Sequence, residues 1–258
     1  MSQQSILSEN LSYWTGRAAG YSAVNQLELS TAQRQTWSDC LRAEIVRQLP
    51  ERAPESLQVL DIGTGPGFFA ILLAGLGYRV TAVDLTRAML HEAQKNAGAL
   101  ADSIQWIEGN AQELCFPDRS FDVVVSRNLT WNLPQPARAY AEWARVLKDG
   151  GLLLNFDANW YAYLFDERSR AAYERDRVNS AKEGVEDQNV GEGFDVMEDI
   201  ARRVPLSRIR RPGWDLRTLQ SLGLEAQADE QVWQRVWSAE EKLNFSSTPL
   251  FLVRALRK

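Results

Sequence analysis

The run Val59-Leu60-Asp61-Ile62-Gly63-Thr64-Gly65-Pro66-Gly67-Phe68 is an apolar stretch that ends in an acid and then turns on three glycines. It predicts a buried strand over 57–62, a glycine turn, and a helix over 67–76 that closes near Gly75 and Gly77. Such a junction sets backbone N–H groups and the positive end of a helix beside open space, which is a place to hold a ligand.

The same rhythm continues downstream. Arg79 to Val83 reads as a second strand ending in Asp84, followed by Leu85 and a helix over 86–96. Two strands joined by one helix make a βαβ unit with parallel pairing, so Asp61 and Asp84 share the C-terminal edge of the sheet, where ligands bind. Further strands are expected at 104–108, 121–126 and 151–156, with a helix at 137–147 and a turn at Asp149-Gly150-Gly151. Alternation of this kind predicts an α/β, doubly wound, mostly parallel sheet. After Asp157 the rhythm stops. Residues 158–213 read as an insertion, with helical character over 163–180 and an acidic, glycine-punctuated stretch, Gly184 to Gly193, expected to be mobile. A short helix at 216–222 and strands at 224–229 and 249–256 then resume the pattern.

Ahead of the sheet, Trp37, Leu41, Ile45 and Leu49 recur every four residues and predict a helix over 30–49, with Ser30 or Thr31 as its cap. Pro50 and Pro54 break the chain after it. Tyr13, Trp14, Arg17 and Tyr21 form an aromatic and basic cluster that serves either as packing or as a lid over the glycine turn. The expected division is therefore 1–50 for lid and helix, 51–157 for the core, 158–213 for a cap, and 214–258 for completion of the sheet.

Composition narrows the partners. The 258 residues carry a formal charge of -5, which argues against nucleic acid and anionic membranes as partners. Met1 to Asn10 lack the features of a signal peptide and no run approaches a membrane span, so a cytoplasmic protein is expected. Cys40 and Cys115 lie far apart and read as reduced, partly buried thiols. His91 is the single histidine, which excludes a multi-histidine metal site, and no metal is expected.

The turn is not a dinucleotide fingerprint, because Phe68 stands where the last glycine of GxGxxG belongs, and no GK[ST] follows to make a phosphate-gripping loop. Asp84 is placed to accept from two ribose hydroxyls, Leu85 to cover an adenine face, and the turn to face a zwitterionic tail. S-adenosylmethionine meets this description. The stretches LDIGTGPGFFAILLAGLGYRVTAVDLT (60–86), IEGNAQELCFPDRSFDVVVSRNLTWNLPQP (107–136) and WARVLKDGGLLLNFD (143–157) closely resemble the class I S-adenosylmethionine-dependent methyltransferases. The likeness is especially to the bacterial small-molecule group similar to the ubiquinone/menaquinone methyltransferases, with a type 11 methyltransferase domain.

That resemblance implies a Rossmann-like methyltransferase fold of seven strands with an insertion after the fifth. It implies S-adenosylmethionine as cofactor, with S-adenosylhomocysteine as product. Asp61, Gly63, Thr64, Gly65 and Gly67 would line the methionine end and Asp84 the ribose. Leu85, Asn110 and Ala111 would flank the adenine, Asn110 as an acceptor for its amino group. Arg127 and Asn128 would face the sulfonium and the acceptor, and Tyr13, Arg17 and Tyr21 would contact the cofactor from the lid. The acceptor is expected to be a small molecule with an O, N or S nucleophile, with a homodimer left open as the assembly.

Trp131, Asp157, Trp160 and Tyr161 are the candidate acceptor residues, with Asp157 and Tyr161 the weak candidates for a base and Tyr13 or Tyr21 behind them. The aromatics of Asn159-Trp160-Tyr161-Ala162-Tyr163 could equally be the core of the insertion. Arg202, Arg203, Arg208, Arg210 and Arg211 read either as a solvated face balanced by Glu198 and Asp199 or as recognition of an anionic acceptor. The rival function is a non-catalytic S-adenosylmethionine-binding module that meets partners through the insertion. Base methylation is disfavoured, because Arg127-Asn128-Leu129-Thr130 stands where an Asn-Pro-Pro-Tyr-like motif would be.

Overall fold

The computed structural model describes residues 3–187 and 193–258. Its strands are β1 (Gln58–Ile62), β2 (Arg79–Asp84), β3 (Ile104–Glu108), β4 (Phe121–Arg127), β5 (Leu147–Asp157), β6 (Leu224–Asp229) and β7 (Phe251–Arg257). The helices of the core are α1 (Gln3–Ser30), α2 (Ala32–Gln48), α3 (Phe68–Gly75), α4 (Arg87–Ala97) and α5 (Pro136–Val146). Beyond β5 follow α6 (Glu167–Lys182), α7 (Phe194–Ala201), α8 (Gly213–Ser221), α9 (Trp233–Val236) and α10 (Ala239–Asn244).

One seven-stranded sheet runs in the order β3-β2-β1-β4-β5-β7-β6. Strands β1 to β5 pair in parallel, and β7 lies antiparallel to both β5 and β6. Strand β1 is interior to the sheet: Val59, Leu60 and Ile62 are wholly buried, as a parallel strand covered on both faces requires. Chain order reverses between β1 and β4, and the loops leaving their C-terminal ends diverge to open a crevice. One face packs on Trp37 of α2 with Phe69 and Phe156, and the other on Tyr140 and Trp143 of α5 with Leu219 of α8. Above the C-terminal edge a third cluster joins Ile6 of α1 to Trp131, Met197, Ile200 and Tyr163.

The predicted strands at 104–108 and 224–229 match β3 and β6, and the others differ by a few residues at their ends. The N-terminal cluster differs most: it is part of one 28-residue helix, α1. Its buried face carries Asn10, Ser22, Asn25 and Glu28, so no apolar period betrays it. Thr31 sits at the N-cap of α2 without a side-chain cap bond. Helix α10 opens with a capping box between Ser238 and Glu241, a signal present in the sequence as Ser-Ala-Glu-Glu. The stretch Gly184 to Gly193 lies, over 188–192, outside the described residues.

Cys40 is half-buried, and burial pushes its thiol up to about 11. Cys115 is exposed, which corrects the expectation of a partly buried thiol. Among the described residues no helix is long and apolar enough to cross a membrane, and no cluster of His, Cys, Asp and Glu could hold a metal. The arginine run divides. Arg202 pairs with Glu198 at the surface, Arg203 reaches Glu9 of α1, and Arg211 is buried.

Candidate methyl-donor site

The glycine turn is held from β2. Gly63 and Thr64 donate their N–H groups to Val83 O at 2.8 and 3.0 Å, and Gly65 N–H donates to Asp84 Oδ2 at 2.9 Å. Asp84 Oδ1 accepts from the N–H and the hydroxyl of Thr86 at 2.9 and 2.8 Å, so one carboxylate ties the turn to the start of α4. Burial raises the Asp84 carboxyl, against the opposing pull of the Thr86 and Gly65 donors. Asp61 at the end of β1 is 2% exposed and accepts from the Thr64 hydroxyl at 2.6 Å. Burial pushes its carboxyl up to about 7, and the Thr64 and Ala70 donors offset only part of that.

All three glycines of the turn take positive φ, and at Gly63 a Cβ would also stand 2.7 Å from the Leu129 side chain. Gly65 has φ of +54°, in the left-handed region that other residues avoid. Gly67, at φ of +92°, caps α3, and a Cβ there would stand 3.0 Å from Ala93 Cβ of α4. Phe68, in place of a third fingerprint glycine, packs edge-on against Trp37 in the core and also lines the crevice.

These parts wall a cavity of about 110 Å³. Asp61, Gly63, Thr64 and Gly65 form its β1 side, and Asp84 and Leu85 its β2 side. Asn110 and Ala111 follow β3, and Arg127 and Asn128 end β4. Helix α1 supplies the roof with Leu7, Asn10, Trp14, Tyr21 and Asn25. Of the lid cluster read from the sequence, Trp14 and Tyr21 line the cavity, whereas Tyr13 packs edge-on against Trp14 at 5.1 Å and Arg17 is on the exposed side of α1. Asn10, Asn25 and Asn132 were not foreseen. They are polar residues whose burial becomes visible only once α1 is seen to cross the crevice.

Residues 60–155 match the model of the family described as "Methyltransferase domain". Over this stretch the chain is similar to a methyltransferase domain. The ubiquinone/menaquinone biosynthesis C-methyltransferase UbiE of Bradyrhizobium sp. is 35% identical over 142 residues, covering 53% of this chain and 54% of that protein. Demethylmenaquinone methyltransferase of Deinococcus radiodurans is 36% identical over 139 residues, 53% of this chain and 55% of that one. The chain thus spans about half the length of the curated relatives it matches. Among solved structures, geranyl diphosphate C-methyltransferase of Streptomyces coelicolor, crystallised with S-adenosylhomocysteine, shares the fold. It has a TM-score of 0.55 and 16% identity, covering 85% of this chain and 77% of that one. The two named C-methyltransferases act on carbon, an acceptor atom outside the O, N or S expectation.

The first cavity suits a ligand rich in donors. The side-chain oxygens of Asn10, Asn128 and Asn132 line it, and each is buried without a hydrogen-bond partner among the described residues. A buried acceptor left unmet costs free energy that a ligand ammonium, hydroxyl or amino group removes. S-adenosylmethionine carries all three donors. The Oδ1 of Asn110, expected as an acceptor, already accepts from the backbone and side-chain N–H groups of Gln112 at 3.0 and 3.2 Å.

Arg127 marks the end of β4. It pairs with Glu28 of α1 at 2.6 Å, and its guanidinium lies 4.8 Å from the Trp37 ring and 4.9 Å from the Phe68 ring. Burial works against its charge, and Glu28 outweighs burial. Asn128 takes φ of +57°, donates its N–H to Phe156 O at 2.8 Å, and hydrogen-bonds Tyr21 through its side chain.

The expected acceptor residues separate. Asp157 is wholly buried, receives Arg211 at 2.5 Å, and accepts from the N–H groups of Trp131 and Ala158 at 3.0 and 2.9 Å. Its oxygens are occupied by the fold, which removes it as a base and as an acceptor contact. Tyr161 stacks on Trp131 at 4.9 Å, and both belong to the core of the cap, as does Tyr163. Trp160 alone faces open space, in a second cavity of about 630 Å³ whose wall shares Tyr21, Arg127 and Asn128 with the first.

Proposed function

We propose that this protein transfers a methyl group from S-adenosylmethionine, held in the first cavity, to a small-molecule acceptor. The observation that carries this is Asp84, which fixes the glycine turn while still presenting a free lone pair to the cavity, inside the stretch similar to a methyltransferase domain. Oδ1 already receives two donors and Oδ2 one, so Oδ2 keeps a lone pair with which Asp84 can also accept from a ribose hydroxyl. The oxygens of Asn10, Asn128 and Asn132 receive the remaining donors, and α1 excludes water from above. When bound, the sulfonium supplies an activated methyl carbon and a neutral thioether leaving group. Alignment and desolvation are then the main tasks left to the chain.

Calorimetry with S-adenosylmethionine and S-adenosylhomocysteine tests this directly. The wild type should bind both, and Asp84→Asn should bind about ten- to a hundredfold more weakly, as loss of hydrogen bonds to a charged acceptor implies. Absence of binding sinks the proposal. Binding without turnover on any acceptor panel, small O, N, S and C nucleophiles included, would favour a non-catalytic module that acts through its cap.

A further inference from the structure

The second cavity lies across Tyr21, Arg127 and Asn128 from the first, so anything exchanged between the two passes these residues. Of its lining only Arg127 and Asn128 fall inside the matched residues 60–155, and the family match therefore leaves its chemistry open. The rest comes from α1, α2, Trp160 and the segment 235–245. Part of the wall is aromatic: Trp160 meets Phe245 edge-on at 5.4 Å, and Phe245 lies 5.9 Å from Trp237.

The charges of the wall do not balance. Glu28, Glu240 and Glu241 line it against Arg127 and Arg235. Arg127 is committed to Glu28, and Arg235 to Asp229, which lies outside the cavity lining. Glu241 takes its hydrogen bonds from neutral donors, the Ser238 N–H at 2.7 Å and the Gln33 side-chain amide. Burial raises its carboxyl, and Arg127 offsets this only in part. At the rim, Val24 and Leu27 are 47% and 63% exposed and give the opening an apolar lip.

Aromatic faces and unmatched carboxylates together attract a cation. A phosphate or carboxylate on the acceptor would meet Glu240 and Glu241 with like charge, and a neutral acceptor would gain only from buried area. We propose that the second cavity is the acceptor site and that it selects an amine bearing an apolar substituent. This rests on the methyltransferase function proposed above. The ammonium form docks, loses its proton to solvent or to the Glu241 carboxylate, and exposes the nitrogen lone pair. That pair forms the N–C bond as the C–S bond breaks and its electrons stay on sulfur. The methylated nitrogen is again cationic, and the rings hold it.

The test uses the full chain saturated with S-adenosylhomocysteine and two probes of one shape. Benzyltrimethylammonium, which has no lone pair to methylate, is titrated by calorimetry beside its neutral isostere neopentylbenzene, with benzoate as the anion. The ammonium should bind at least about tenfold tighter than the isostere, and Glu241→Gln should reduce that preference about tenfold, a step of about 1.4 kcal/mol. Trp160→Phe should retain the preference, since a ring remains, while Trp160→Ala should lose much of it. Equal binding of the two probes, tighter binding of benzoate, or a preference untouched in Glu241→Gln would overturn the proposal while S-adenosylhomocysteine still binds. Failure of S-adenosylhomocysteine itself to bind would instead overturn the methyltransferase function, and the acceptor assignment with it.

Discussion

Asp61 ends β1 with its carboxyl 2% exposed and its pKa pushed up to about 7, chiefly by burial. In the unfolded chain the same group titrates near an ordinary aspartate value, about 4. Between about pH 4 and 7 the folded state therefore holds a proton that the unfolded state has lost, and stability falls as pH rises through that window. Above about 7 both states are ionised and the slope vanishes. Asp61→Asn keeps an acceptor for the Thr64 hydroxyl and removes the titration. Relative to this variant, the ligand-free wild type should lose a few kcal/mol between pH 4 and 7.5, at most about 4. Thermal melts at the two pH values read the effect as a shift of roughly 5–15 °C in the wild-type-minus-variant difference. A difference that stays flat with pH would mean that Asp61 is ionised in the fold. The acid was legible in the sequence as the end of a strand, whereas its depth of burial was not, because that depends on α1 crossing above it.

At the scale of elements, α1 decides access. Its Trp14 and Tyr21 fill the crevice down to about 110 Å³, below the few hundred Å³ of ordinary ligand pockets, so the helix must lift to admit the cofactor. What holds it down near its C-terminal end is Glu28, paired with Arg127 at 2.6 Å and braced by Asn25. Glu28→Gln would leave the Arg127 charge enclosed by Trp37 and Phe68 without its counter-ion, at a cost of about 2–3 kcal/mol, less than for a fully buried pair. The expected result is several-fold faster release of S-adenosylhomocysteine by stopped flow, with α1 the first segment cut in limited proteolysis. Unchanged release would show that α1 is not the gate. The sheet elements were readable because β1 to β5 alternate with amphipathic helices and end in turn residues. Helix α1 was not, since most of the residues it buries, Asn10, Ser22, Asn25 and Glu28 beside Ile6 and Ala18, are polar. The second cavity was hidden for a related reason: its wall is assembled from five separated stretches, and no local pattern joins Trp160 to Glu241.

The whole molecule is joined across the sheet edge by a buried ionic group. Arg211 stands between Asp157 of β5, at 2.5 Å, and Asp215 of α8, at 2.6 Å, with all three side chains fully enclosed. Tyr140 of α5 donates to Asp215 at 2.5 Å, and Asn155 Nδ2 donates to the Tyr140 hydroxyl at 2.8 Å, so the group ties β5, α5 and α8 into one unit. The sequence showed Arg211 only as the last of an arginine run, because its two partners lie 54 residues before it and 4 after it. Arg211→Met would strand two carboxylates in the core and should cost about 3–5 kcal/mol, which lowers the melting temperature by roughly 10 °C in a chain of this size. Neutralising all three positions together, as Arg211→Met with Asp157→Asn and Asp215→Asn, should restore most of that loss, because no charge is then left unpaired. The same triple variant separates structure from chemistry. Asp157 receives Arg211 and two backbone N–H groups and lines neither cavity, so the refolded triple variant should bind S-adenosylhomocysteine as the wild type does and keep its methyl transfer. A triple variant that is stable, binds the product and transfers nothing would return Asp157 to the reaction.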